Sequence, residues 1–231
     1  MASPIRIISS MATKQVLADL IALYRQAHPD TVIELESVGG VDAAKRVQAG
    51  EAFDIVALAS NAVAQLTTDG KVVAGSTVDV VRSGVALAVR RGAPHPDIGS
   101  EAAVKQAVLA ARTLGYSTGP SGVQLAKLFE RWGIAEQIKD RIVTAPPGVP
   151  VGSLVAQGEV ELGFQQLSEL MSLEGIDVLG PLPAQIQIIT TFSAGLATAS
   201  TQPEAVRALL AFLVSPATAP TKQRNGMEAA G

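Results

Sequence analysis

Cysteine is absent from the 231 residues, so neither disulfides nor thiolate metal sites are open to this chain. Histidine is scarce. His28 and His95 each precede a proline, which biases them toward extended or turn backbone, and no metal-type spacing joins them. The sequence therefore predicts neither a metal site nor a cofactor. Charged residues make up 17% and the formal net charge is -3. A surface that tracks phosphates needs a basic excess, so nucleic acid is not an expected partner; the Arg90-Arg91 pair reads as a solvated strand end. No apolar run approaches the roughly 20 residues of a membrane span.

What is present is apolar and patterned. Hydrophobic residues make up 48%, enough for a globular chain with a real core, and the length allows one large domain or two small lobes. Met1-Ala2-Ser3-Pro4 runs straight into an apolar strand at Ile5 to Ile8. That start suits a periplasmic protein whose signal peptide has been removed, and a cytoplasmic one otherwise.

Strand and helix patterns alternate from the beginning. PIRIIS reads as a buried strand, followed by a helix over ATKQVLADLIALYRQAH with Val16, Leu20, Leu23 and Tyr24 on one face. TVIELES, FDIVALAS and SGVALAVRRG continue as strands, with helices ending at Gly50 and Gly70 between them. A second set follows: a helix in SEAAVKQAVLAA, a strand in TLGYST, a helix in GPSGVQLAKLFERWG with Val123, Leu125, Leu128 and Phe129 apolar, a short helix in VPVGSLVAQGE and a strand in VELGFQQ. This alternation predicts an α/β protein with mainly parallel sheets. SGVALAVRRG and the long stretch from Gln185 to Ser200 are candidate crossings between two lobes, 1–82 with 195–231 and 83–194, with a ligand cleft between them.

Ligands of open parallel sheets bind beyond the carboxyl ends of the strands, which marks four turns: Ser9-Ser10-Met11, Val38-Gly39-Gly40-Val41, Ser117-Thr118-Gly119-Pro120-Ser121-Gly122, and Gln165-Gln166-Leu167-Ser168. Helix starts offer free N–H groups and a favourable dipole to an anion. A single such turn is explained by helix capping; several along one edge suggest a binding site. Lys14, Lys45, Arg46, Arg82 and Glu169 are the charged residues near these turns, Lys14 reading first as part of a solvated helix face; arginine suits bidentate recognition of a carboxylate. Lys45 and Arg46 read as a solvated helix face. Gly115-Tyr116-Ser117-Thr118-Gly119 matches the nucleophile elbow of hydrolases, but that fold needs a histidine after the serine, and both histidines precede Ser117. No lysine follows the GPSG turn where a P-loop requires one.

At these turns the chain resembles the molybdate-binding family of type II periplasmic solute-binding proteins. The resemblance runs through SSMATKQVLADLIALYRQ, ESVGGVDAAKRVQAGEAFDIVALAS, GPSGVQLAKLFERWG, LVAQGEVELGFQQLS and LLAFLVSPATAPTKQRNGM. It implies a two-lobed fold with two crossing hinge strands, closure around a small anion, a monomer, and an ABC transporter permease as partner. Its ligand contacts fall on Ser10, Gly39 or Gly40, Ala59, Ser121, the Gly148-Val149 turn and Gln166. The family usually has serines at the two glycines and a tyrosine at Gln166. Fewer hydroxyls and more room suggest a larger ligand, a di- or tricarboxylate. A catalytic branch of the aconitate isomerase type has the same kind of fold; it implies proton transfer on a polycarboxylate, with Lys14, Arg82 or Glu169 as catalytic candidates.

Overall fold

The computed structural model describes residues 3–146 and 148–230. The first two residues, on which the reading of a removed leader falls, lie outside them. The chain divides into two compact units, Met1–Arg82 with Thr191–Gly231, and Ser83–Thr190.

In the first unit β1 (Ile5–Ser10) leads through a short 3-10 turn into α1 (Lys14–Ala27), β2 (Ile33–Val38) into α2 (Gly40–Gln48), and β3 (Ile55–Ala59) into α3 (Ser60–Thr68). Strand β4 (Val78–Arg90) then carries the chain into the second unit. There follow α4 (Glu101–Ala110), β5 (Leu114–Ser117), α5 (Pro120–Arg131), α6 (Ala135–Ile138), β6 (Ile142–Ala145), α7 (Val151–Gln157), β7 (Leu162–Gln166), α8 (Leu167–Leu170) and β8 (Ile176–Pro181). Strand β9 (Ile189–Leu196) returns to the first unit, which ends in α9 (Pro203–Leu213), α10 (Ala219–Arg224) and β10 (Glu228–Ala229).

The first sheet has β1 between β2 and β3, both parallel to it, with β9 antiparallel on β3 so that Ala59 faces Phe192 and Ile55 faces Leu196. In the second, β5 lies parallel between β6 and β7, and β4 runs antiparallel to both β7 and β8. Within each sheet the parallel strands therefore end along one edge, where the loops to the helices begin.

Period-2 alternation sends the strand residues to two cores per unit. Ile5, Ile7, Ile55 and Ala57 pack with α1 and α9, while Ile8, Val56 and Leu58 pack with Ala43, Val47, Val63 and Leu66 of α2 and α3. In the second unit Val85, Leu87, Leu162 and Phe164 pack against Leu125, Leu128 and Phe129 of α5, and Ala86 and Ala88 against Val151, Leu154 and Val155 of α7. Together these cores hold the strand ends, and hence the turns, in fixed positions.

Several details differ from the sequence reading. Helix α1 buries Leu17 and Ile21 with Val16, Leu20 and Tyr24, a stripe one position wider than the expected face, and Leu23 sits at its margin. On α5, Val123 is 50% exposed and only Leu125, Leu128 and Phe129 are core. The stretch from Gln185 to Ser200 forms a strand only over Ile189–Leu196. Gln187 interrupts it because its side-chain Oε1 accepts from the Val85 and Ile188 N–H groups, at 3.0 and 2.8 Å. The chain re-enters the first unit between residues 190 and 191, before the expected 195. Strand β8, which the sequence reading does not include, ends in Gly180, at φ 131°, and Pro181. Among the described residues no helix is long and apolar enough to cross a membrane.

Candidate functional site

In the first unit, β1 ends in two serines with different roles. Ser9 is fully buried, and its Oγ lies 2.7 Å from Ser37 Oγ on the neighbouring β2, so this hydroxyl ties strand to strand. Ser10, 6% exposed, stands at the sheet edge with extended backbone. Thr13 donates to its carbonyl at 3.2 Å, and their hydroxyls are 3.4 Å apart. Helix α2 starts beside it: a β-carbon on Gly40 would make ordinary contact with the Ser10 β-carbon, at 3.7 Å. Gly39 has φ -54°, open to any residue. Neither glycine is demanded by the backbone.

Gly39 and Ala59 precede α2 and α3 with nearly the same backbone, ψ 135° and 139°, and no side chain caps either helix. Their first N–H groups thus have no side-chain acceptor. Helix α4 differs: Ser100 accepts from the Ala103 N–H at 3.1 Å. Lys14 opens α1 and is exposed. The Arg82 guanidinium is 3.6 Å from Glu228, both side chains well exposed; such a pair is weak and easily exchanged for another anion. Arg46 is held by Glu36 and Glu51, so it belongs to a surface network.

In the second unit, α5 begins directly on the end of β5. A β-carbon on Gly122 would overlap the Ser117 carbonyl oxygen, so only glycine lets the helix start there. Ser117 Oγ accepts weakly from the Gly119 N–H at 3.4 Å, and Thr118 is exposed. Ser121, on the first turn of α5, is 6% exposed and its hydroxyl has no partner among the described residues. In the Gly148-Val149 turn, Gly148 takes φ 79° and Val149 N–H donates to the Pro146 carbonyl at 3.0 Å.

The end of β7 is the most polar buried segment of this unit. Gln165 and Gln166 are each 3% exposed. Alternation sends them to opposite faces. Gln166 Nε2 donates to Thr190 Oγ1 at 2.8 Å, and its Oε1 is buried with no partner among the described residues. Ser83 Oγ is buried in the same state. Gln166 lies opposite Val85 in β4, which places Ser83 two residues along on the same face. Gln165 Oε1 accepts from the Gly152 N–H of α7 at 3.2 Å, and its Nε2 donates to Glu169 Oε1 at 2.9 Å. Burial pushes the Glu169 carboxyl up to about 7 against the opposing hydrogen bond from Gln165. At neutral pH it is therefore divided between acid and carboxylate, a state suited to giving and taking protons.

The strand-end rule and the resemblance name Ser10, Gly39, Gly40, Ala59, Ser121, Gln165, Gln166 and Glu169 as candidates, and the structure places each of them at or beside the end of a parallel strand. Thr13, Gly152 and Thr190, which bond to these candidates, and buried Ser83 were not named from the sequence. Thr190 and Ser83 sit inside the two crossing segments, where polar residues in apolar strands were the available signal.

Comparison with known proteins gives a consistent picture. Aconitate isomerase from Pseudomonas sp. is 40% identical over 186 residues, 79% of this chain and 70% of that protein. Among solved structures, the periplasmic molybdate-binding protein of Azotobacter vinelandii superposes with a TM-score of 0.81 at 15% identity, covering 98% of this chain and 100% of that one. The sulfate-binding protein of Mycobacterium tuberculosis gives 0.81 at 14%, covering 99% and 88%. A protein solved with L-phospholactate bound gives 0.76 at 12%, covering 97% and 99%. The fold is that of type II periplasmic binding proteins. The family described as bacterial extracellular solute-binding protein matches residues 5–228, and the chain belongs to that family.

Proposed function

We propose that this protein binds a small di- or tricarboxylate and interconverts the cis and trans forms of aconitate. The observation that carries the reading is the place of Glu169: a carboxyl group in the first turn after a parallel strand, one oxygen held by buried Gln165 and its protonation range raised by burial, in a unit whose neighbouring turn offers the Ser121 hydroxyl. The 40% identity to aconitate isomerase supports it, as does the glycine pair at Gly39 and Gly40, where the molybdate-binding resemblance has serines.

The chemistry is a proton shift. A base removes a proton from the methylene carbon of aconitate; the electron pair spreads through the adjacent double bond onto the carboxylates. The same proton is returned to the other end of that three-carbon system, so one C–H bond breaks, one forms, and composition is unchanged. Rotation before the return gives the other geometric isomer. Glu169 is the base and acid in this scheme. In the unit that carries Glu169, Ser121 and the uncapped start of α5 are the donors for a carboxylate, and donors placed where charge develops stabilise the transition state; in the other unit Ser10, Lys14, Arg82 and the uncapped starts of α2 and α3 are groups of the same kind.

The family supports a second reading, a solute-binding transport component; on that reading the chain would carry the same class of anion to an ABC transporter permease. Calorimetry with aconitate, citrate, sulfate and molybdate tests what both readings share. Tighter binding of the carboxylates is expected; molybdate binding without carboxylate binding would refute both.

A further inference from the structure

The Gln165 side chain is held at both ends. A backbone N–H can only donate, so the Gly152 N–H fixes the Gln165 oxygen toward α7. The nitrogen must then face Glu169, and the Glu169 oxygen it meets at 2.9 Å is an acceptor. One carboxylate oxygen, Oε1, is thereby occupied. The other, Oε2, makes no hydrogen bond to any described residue.

Among the described residues, the elements packed around Glu169 bring no competing charge to this carboxylate. Strand β7, helix α7 and the rest of α8 contain none. On β8, Asp177 is engaged by the Gly92 N–H and His95, and the turn after α8 carries only Glu174.

We propose that Gln165 is a positioning residue for Glu169: with its carbonyl fixed by the Gly152 N–H, its amide holds Oε1 and leaves Oε2 as the atom that takes and returns the proton. The inference rests on the proposed function for its meaning, but the geometry can be tested without turnover. Gln165 is too buried to be explained as a surface residue, and a strand-end residue needed only for packing has no use for an amide aligned in this way. The bond also favours the ionised form of Glu169, so it keeps the carboxyl within reach of neutral pH despite burial.

The test is to follow the Glu169 side-chain carboxyl carbon by NMR as pH is varied, in the whole protein and in Gln165→Leu. Losing a hydrogen bond to a charged group shifts the midpoint by about one pH unit or more, and the shift is expected to be upward. Gln165→Met serves as the second variant should Gln165→Leu fold poorly; it likewise lacks the amide donor, so the Glu169 midpoint rises again. In turnover, the acid limb of the pH profile follows the same shift, and kcat falls more than KM rises. An unchanged Glu169 midpoint in a folded variant would overturn the positioning role. A shifted midpoint in a protein that never turns over aconitate would leave the positioning role standing and remove the isomerase reading.

Discussion

The α-carbon of Gly122 packs so closely on the carbonyl oxygen of Ser117 that a β-carbon there would overlap it. That single approach sets where α5 starts and therefore where Ser121 stands. The obstacle is backbone, which cannot rotate away, so Gly122→Ala is expected to destabilise the protein by about 2 kcal/mol or more. Thermal unfolding should show a melting point lower by roughly 4 °C or more. An unchanged melting point would mean that the start of α5 can slide, and that Ser121 is not rigidly held.

Ser10 and Ser121 belong to different units, and each is a small change to remove. Hydrogen bonds from neutral donors to charged ligands contribute roughly 1.5–3 kcal/mol. Ser10→Ala and Ser121→Ala are each expected to weaken carboxylate binding by about tenfold, measured by calorimetry. Unchanged affinity in both variants would remove these serines from the site.

The raised Glu169 carboxyl has a stability consequence with a definite sign. Below pH 4.5, its usual value, the group is protonated in both folded and unfolded chains. As pH rises from 4.5 to about 7 the unfolded chain releases its proton first, so the folded state is progressively penalised. Glu169→Gln removes that penalty. Its melting point should exceed that of the parent at pH 8 and match it at pH 4. A variant less stable than the parent at pH 8 would show that the carboxylate is better accommodated than its burial implies.

How far the sequence revealed all this follows from which physical signals are local. Strand–helix alternation and the parallel arrangement are carried by hydrophobic period, and so were the turns after β1, β2, β5 and β7. The position of Glu169 in the first turn after β7 was visible too, but its raised protonation range was not, because burial depends on what α7 and β8 lay over it. The Gln166–Thr190 and Gln165–Gly152 bonds join residues 24 and 13 apart in sequence, and no local pattern announces them. Gln187 is similar: its interruption of the apolar stretch before β9 is a tertiary bond to Val85, which hydropathy alone reads as continuous strand. Strands β6 and β8 were missed because both are only partly buried, so their apolar runs are weak.

The most direct measurement is proton NMR of cis-aconitate incubated with the purified protein and, in parallel, with Glu169→Gln. The olefinic signal of the trans isomer should grow with the parent protein until both isomers reach a constant ratio, while the variant still binds aconitate yet converts it at least a hundredfold more slowly, within the range by which a lost general base slows a reaction. Tight binding by the parent with an unchanged spectrum over hours would contradict the isomerase account and leave a carboxylate-binding transport component in its place.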